Sequence, residues 1–264
     1  MTNHFLPGAC LLLFFSGAYP LRQLWRANRR TSLRHAVVWA LVAWFAWAAV
    51  MLGESFGVTA DLPAARYLAL ALTGCAGVAV LGARRPGMAA WNFVVLGLLS
   101  VFLLPLAQGY LTGSAALLGG FWKVFLAITL GVGLVNYLFT RLALGAALLA
   151  AVCILELVAL VQPESWEHRV GGWLLAMAPW LSFAALRIQR DARSEFDRCW
   201  LEFRNRFGLI WAQRLREQFN RSAANAGWPV ELAWSGLRRA APGQLDEADF
   251  LTTLRALMKR FGVA

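Results

Sequence analysis

Long apolar stretches, almost free of charge, constrain this chain more than any other feature. They cover residues 5–21, 36–52, 65–83, 88–110, 121–139, 142–161 and 170–186. A helix needs about 20 apolar residues to cross about 30 Å of hydrocarbon, whereas barrel strands are shorter and alternate. With 59% hydrophobic and only 15% charged residues, a water-soluble core of 264 residues has no means of covering so much apolar side chain. The fold class that follows is all-α: a polytopic membrane helix bundle over 1–187, with 188–264 as an amphipathic helical cytosolic tail. The first stretch is short, and whether it crosses fully stays open.

The connections carry turn and charge punctuation, such as Gly53-Glu54, Asp61-Leu62-Pro63 and Gln162-Pro163-Glu164. They also sort by charge. Arg22, Arg26, Arg29, Arg30 and Arg34, then Arg84 and Arg85, then Arg141, fall in the first, third and fifth loops. Glu54, Asp61, Glu164 and Glu167 fall in the others, where Arg169 and the boundary residues Arg66 and Lys123 are the few cations. Short cytoplasmic loops collect arginine and lysine. The expected orientation in a bacterial-type inner membrane therefore has the N-terminus outside and the C-terminus cytoplasmic. No basic residue precedes the first apolar stretch and arginines follow it, the wrong polarity for a cleaved secretory signal.

The formal net charge is +11, and Lys123 and Lys259 are the only lysines among 25 basic residues. Beside hydrophobic segments, such a balance points to the lipid bilayer and its anionic head groups as partners rather than to nucleic acid. Cys10, Cys75, Cys153 and Cys199 are far apart and show no ligand spacing, so they read as small apolar packers. No motif for a catalytic centre, a cofactor or a metal site is present; no catalytic, cofactor-binding or metal-ligating residue is assigned. Glu164, Glu167 and His168, with His4, form a group that could in principle take a transition metal, but a solvated loop accounts for it.

An ionisable residue inside a span costs about 2.5 to 3.5 kcal/mol on insertion scales. Glu156 is the clear case, roughly 9 Å below the end of its span at about 1.5 Å per residue. Lys123 on the preceding antiparallel span is its expected neighbour, with Asn136 as a deeper polar step. The group is either a proton or cation relay or an internal pair that sets helix register.

In the tail, Phe196, Trp200, Phe203, Phe207 and Ile210 recur at helical spacing, followed by Trp211. Arg204 and Arg206 flank this stripe, while Arg198, Glu202, Asn205 and Arg216 lie opposite. Such a face suits a lipid interface or a protein partner, and equally the core of a small tail domain. Residues 228–236 alternate as a single extended strap without a visible partner, and a closing helix is expected from about 246 to 261 with Gly262 as its stop. Function then divides between a non-enzymatic scaffold or anchoring protein working through its tail and a small transporter or proton-coupled permease using Glu156.

Overall fold

The computed structural model describes residues 5–58, 62–84, 88–112, 119–160, 165–188, 194–239 and 247–263. Its helices are α1 (Phe5–Ser16), α2 (Ala18–Asn28), α3 (Arg34–Ser55), α4 (Leu62–Leu81), α5 (Met88–Thr112), α6 (Gly120–Leu138), α7 (Ala143–Ala159), α8 (Ser165–Arg187), α9 (Glu195–Asn225) and α10 (Glu247–Met258). Among the described residues, five helices are long and apolar enough to cross a membrane, within α3, α4, α5, α6 and α8. The apolar α7 is shorter, at 17 residues. The chain is thus an all-helical, membrane-embedded type.

The first apolar stretch does not end where its arginines begin. Helix α1 runs into α2 at Gly17, so Arg22 and Arg26 lie on a helix instead of in a loop, and Arg34 opens α3. Gly17 is required by proximity: a Cβ there would stand 2.8 Å from Trp44 Cη2. One turn earlier Phe14 stacks on Trp44 at 3.8 Å, which seats α1 against α3.

Helix α3 packs on α4, α4 on α6, α6 on α7 and α7 on α8, while α1 and α2 sit between α8 and α3. The result is a ring, with α5 outside it against α4 and α6. Lipid-like association favours small residues at such crossings. At the α4–α6 crossing Gly77 and Gly133 meet backbone to backbone, and a Cβ on Gly77 would lie 2.8 Å from the Gly133 Cα. Outward-facing side chains stay exposed and apolar, as at Phe45, Phe93 and Leu104.

Two ends of the ring differ in chemistry. The close of α3, the start of α4, the close of α7 and the start of α8 meet at an acidic end through Glu54, Arg66, Glu156 and His168. At the opposite, arginine-rich end, the C-terminal elements dock. Trp211 Nε1 donates to the Val80 carbonyl at 3.0 Å, and Trp234 Nε1 to that of Phe139 at 3.2 Å. Ser32 Oγ donates to the Ala83 carbonyl at 2.8 Å, and the Ser32 amide donates to that of Phe261 at 3.0 Å.

Helix α9 starts on a Ser194 cap, whose side chain accepts from the Asp197 amide. It breaks at Gly208, where φ is 79° and ψ −174°. The extended segment after it is a hairpin, not a lone strap: β1 (Val230–Ala233) pairs antiparallel with β2 (Gly236–Arg239), Val230 opposite Arg239. The second strand escapes sequence reading because Leu237 is its one large apolar residue, leaving no alternation to detect. Helix α10 continues as one 3₁₀ turn to Phe261, and Gly262 stops it at φ 72°.

Candidate functional site

Arg66 is the centre of the acidic-end cluster. It lies in the first turns of α4, buried, with 6% of its surface exposed, and Glu156 on α7 is 3% exposed. Arg66 Nη1 donates to both carboxylate oxygens of Glu156, at 2.9 and 2.8 Å, while Nη2 pairs with Glu54 at the end of α3. A guanidinium carries five donors in a plane and stays charged, so it can serve several acceptors at once. His168 closes the group from α8, its Nδ1 in direct contact with Arg66 Nη1 and 3.3 Å from Glu156 Oε2.

The two contacts belong to different tautomers: an unprotonated Nδ1 accepts from Arg66, and an Nδ1 that carries the ring proton donates to Glu156. One turn after His168, Gly171 leaves room for the carboxylate: a Cβ there would be 3.2 Å from Glu156 Oε1.

Sequence reasoning found Glu156 and gave it the wrong neighbour. Lys123 sits half-buried on α6 and makes no ion pair among the described residues, while Glu156 turns toward α4 and Arg66. Helix α7 is apolar all round, so its pattern gives no hint of which flank of Glu156 faces inward. Asn136 is no step on a path from Glu156. It lies at the arginine end, where Oδ1 accepts from the Ile210 amide at 3.0 Å and Nδ2 donates to the Phe207 carbonyl at 3.4 Å. It fills the gap opened by the Gly208 break. Of the loop group, His168 belongs to the Arg66 cluster, whereas His4, Glu164 and the Glu167 side chain lie outside the described residues. Among the described residues no group of three or more His, Cys, Asp or Glu is placed to hold a metal ion.

The aromatic stripe of α9 is occupied by the chain itself. Phe196, Trp200, Phe203, Phe207 and Trp211 are all buried. Phe261 sets its ring edge-on against Phe203, Phe207 and Trp211 at 5.0 to 5.3 Å. Arg204 donates to the Trp234 carbonyl at 2.7 Å and lies over that indole. Arg206 pairs with Glu202 at 2.7 Å.

Inside the ring is a cavity of about 1030 Å³ that sequence reading did not anticipate. Its floor includes Trp47, Thr73, Leu130 and Leu175. From Leu175 to Arg187 along α8 its wall runs about 18 Å at about 1.5 Å per residue. Toward the Arg66 cluster, Val50, Tyr67, Leu70 and Val152 are buried and do not line the cavity, nor do Arg66, Glu156 and His168. The mouth, at the arginine end, carries Arg141, Arg187, Arg198 and Arg206, with Glu202 as the one carboxylate among the described residues that line it. Arg198 and Glu202 lie opposite the aromatic stripe of α9 and Arg206 at its edge, so the tail's wet face forms part of the rim. Comparison with protein-family models, curated proteins and solved structures finds no match to this chain.

Proposed function

We propose that this chain is a small carrier or permease of a bacterial-type inner membrane, built for seven crossings and held with its cavity facing the cytoplasm. Helices α1 and α2 together form one crossing, of 12 and 11 residues around Gly17, and α7 another. The segregation of arginines to one end supports an outside N-terminus and a cytoplasmic C-terminus. The observation that carries the reading is the pairing of a cavity lined by arginines at one end of the ring with a buried ion cluster at the other end.

Desolvating ions is costly, and a buried pair adds little net stability over apolar packing. The cluster's distinctive property is instead that it joins the ends of α3, α4, α7 and α8 through contacts that water can replace if those ends part. It acts as an outer latch.

A scaffold or anchoring role through the tail is the second reading. The burial of the aromatic stripe restricts it to the tail's outward polar face. One experiment separates the two. With the four native cysteines replaced, a cysteine at Leu175 is challenged with a membrane-impermeant maleimide in inside-out and right-side-out vesicles. The carrier reading expects labelling from the cytoplasmic side only, and outside labelling once Glu54→Gln and Glu156→Gln are combined. Protection from outside that survives both substitutions leaves a fixed bundle and the scaffold role.

A further inference from the structure

We propose that the ring cavity binds an anionic amphiphile, its single apolar chain or chain pair inside the ring and its phosphate or carboxylate head on the arginine rim. This rests on the cytoplasm-facing cavity of the carrier reading and names its cargo class. Three observations define the ligand. The first is depth: about 18 Å of wall, set against about 30 Å for a whole hydrocarbon core, matches a chain that spans one leaflet. The second is lining. The wall is mostly apolar, as at Ala36, Ala40, Ala43, Ala76 and Leu134, with Gln23, Asn28, Thr73, Tyr137, Ser182 and Asn205 as its uncharged polar side chains, so a polar solute would recover only part of its lost hydration there. The third is charge: among the described residues that line the mouth, four guanidinium groups face one carboxylate.

The rim geometry narrows the head group further. Arg141 comes from the turn before α7, Arg187 from the end of α8, and Arg198 and Arg206 from α9. Arg206 is engaged by Glu202, and Arg141 Nη1 donates to the Ile188 carbonyl at 3.0 Å, which fixes its guanidinium at the rim. Planar guanidinium forks match carboxylate and phosphate oxygens, which favours one compact anion shared among elements. A zwitterionic head would set its own cation among these arginines. A cationic amphiphile is repelled outright. The volume lies at the top of the roughly 300–1,000 Å³ range of small-molecule sites, in keeping with a lipid-sized occupant.

The test uses the full chain, delipidated in neutral detergent and read by native mass spectrometry. It is offered equimolar phosphatidylglycerol and phosphatidylethanolamine of equal chain length, and separately palmitate. The expected result is one bound phosphatidylglycerol or palmitate per chain, and at least about tenfold preference for phosphatidylglycerol over phosphatidylethanolamine. Phosphatidylglycerol alone identifies a leaflet lipid as the source; palmitate alone identifies a free single-chain acid. Arg141→Gln with Arg198→Gln should remove that preference, and Ala40→Phe with Ala146→Phe should remove retention while leaving the arginines in place. Equal retention of both phospholipids by the unmodified chain, or retention that survives the filled cavity, overturns the proposal. The unmodified chain decides by itself if a variant fails to fold. Failure here leaves the latch experiment free to succeed with another cargo, and success here is independent of whether the latch opens.

Discussion

Arg66 concentrates the electrostatics of the acidic end on one side chain, because its one cation faces carboxylates from α3 and α7 and an imidazole from α8. Removing one partner of a buried pair leaves an uncompensated charge, typically about 3–5 kcal/mol, whereas exchanging both partners for apolar residues is often neutral or better. Arg66→Met should therefore destabilise the chain by about 3–5 kcal/mol, and Arg66→Met with Glu156→Met should recover most of that loss. Thermal unfolding of both variants in the same detergent measures it. A single substitution as harmless as the double one would mean the pair is not formed. Glu156 was legible because a carboxylate within an apolar run has no other explanation. Arg66 was not, since an arginine just after Asp61 and Pro63 has the same sequence context as an interfacial arginine that snorkels to water.

At the scale of elements, α9 shows how a break can be more specific than a helix. Gly208 adopts a left-handed φ of 79°, and a Cβ there would lie 2.2 Å from Asn136 Nδ2. Both the backbone and the neighbour demand glycine. Asn136 then fills the opening and holds both sides of it, at Phe207 and Ile210. Gly208→Ala and Asn136→Leu should each loosen the tail from α6, so that trypsin cleaves within α9 on the order of tenfold faster than in the unmodified chain. Gly227→Ala is the control. It too has positive φ, at 68°, but a Cβ there meets nothing within 4 Å, so it adds backbone strain without touching the docking contact. If all three variants are cleaved alike, strain and not docking controls the tail. The helical spacing from Phe196 to Phe207 was plain in the sequence; the turn of direction at Gly208 was not, because a single glycine in a helical pattern signals only reduced propensity.

In the whole molecule, the apolar periodicity that announced a helix bundle says nothing about whether its centre is filled. Ala36, Ala40, Ala43, Ala76 and Gly77 look in sequence like close-packing residues, and some are: Gly77 touches Gly133. The same small side chains also leave the ring hollow toward its arginine end. The tail and the acidic cluster thus hold opposite ends of one ring with the cavity between them, and the described polar contacts of α9 and of the hairpin turn with the bundle fall on the arginine end. This arrangement expects stability to be divided by end, since local opening follows the contacts available locally. Deleting residues 189–264 should speed amide hydrogen exchange strongly near Ser32, Val80 and Asn136. Amides near Glu54, Arg66, Glu156 and His168 should stay within about twofold of their original rates. A uniform rise along α4 and α7 would show instead that the tail and the latch belong to a single cooperative unit, in which case opening one end could not leave the other closed.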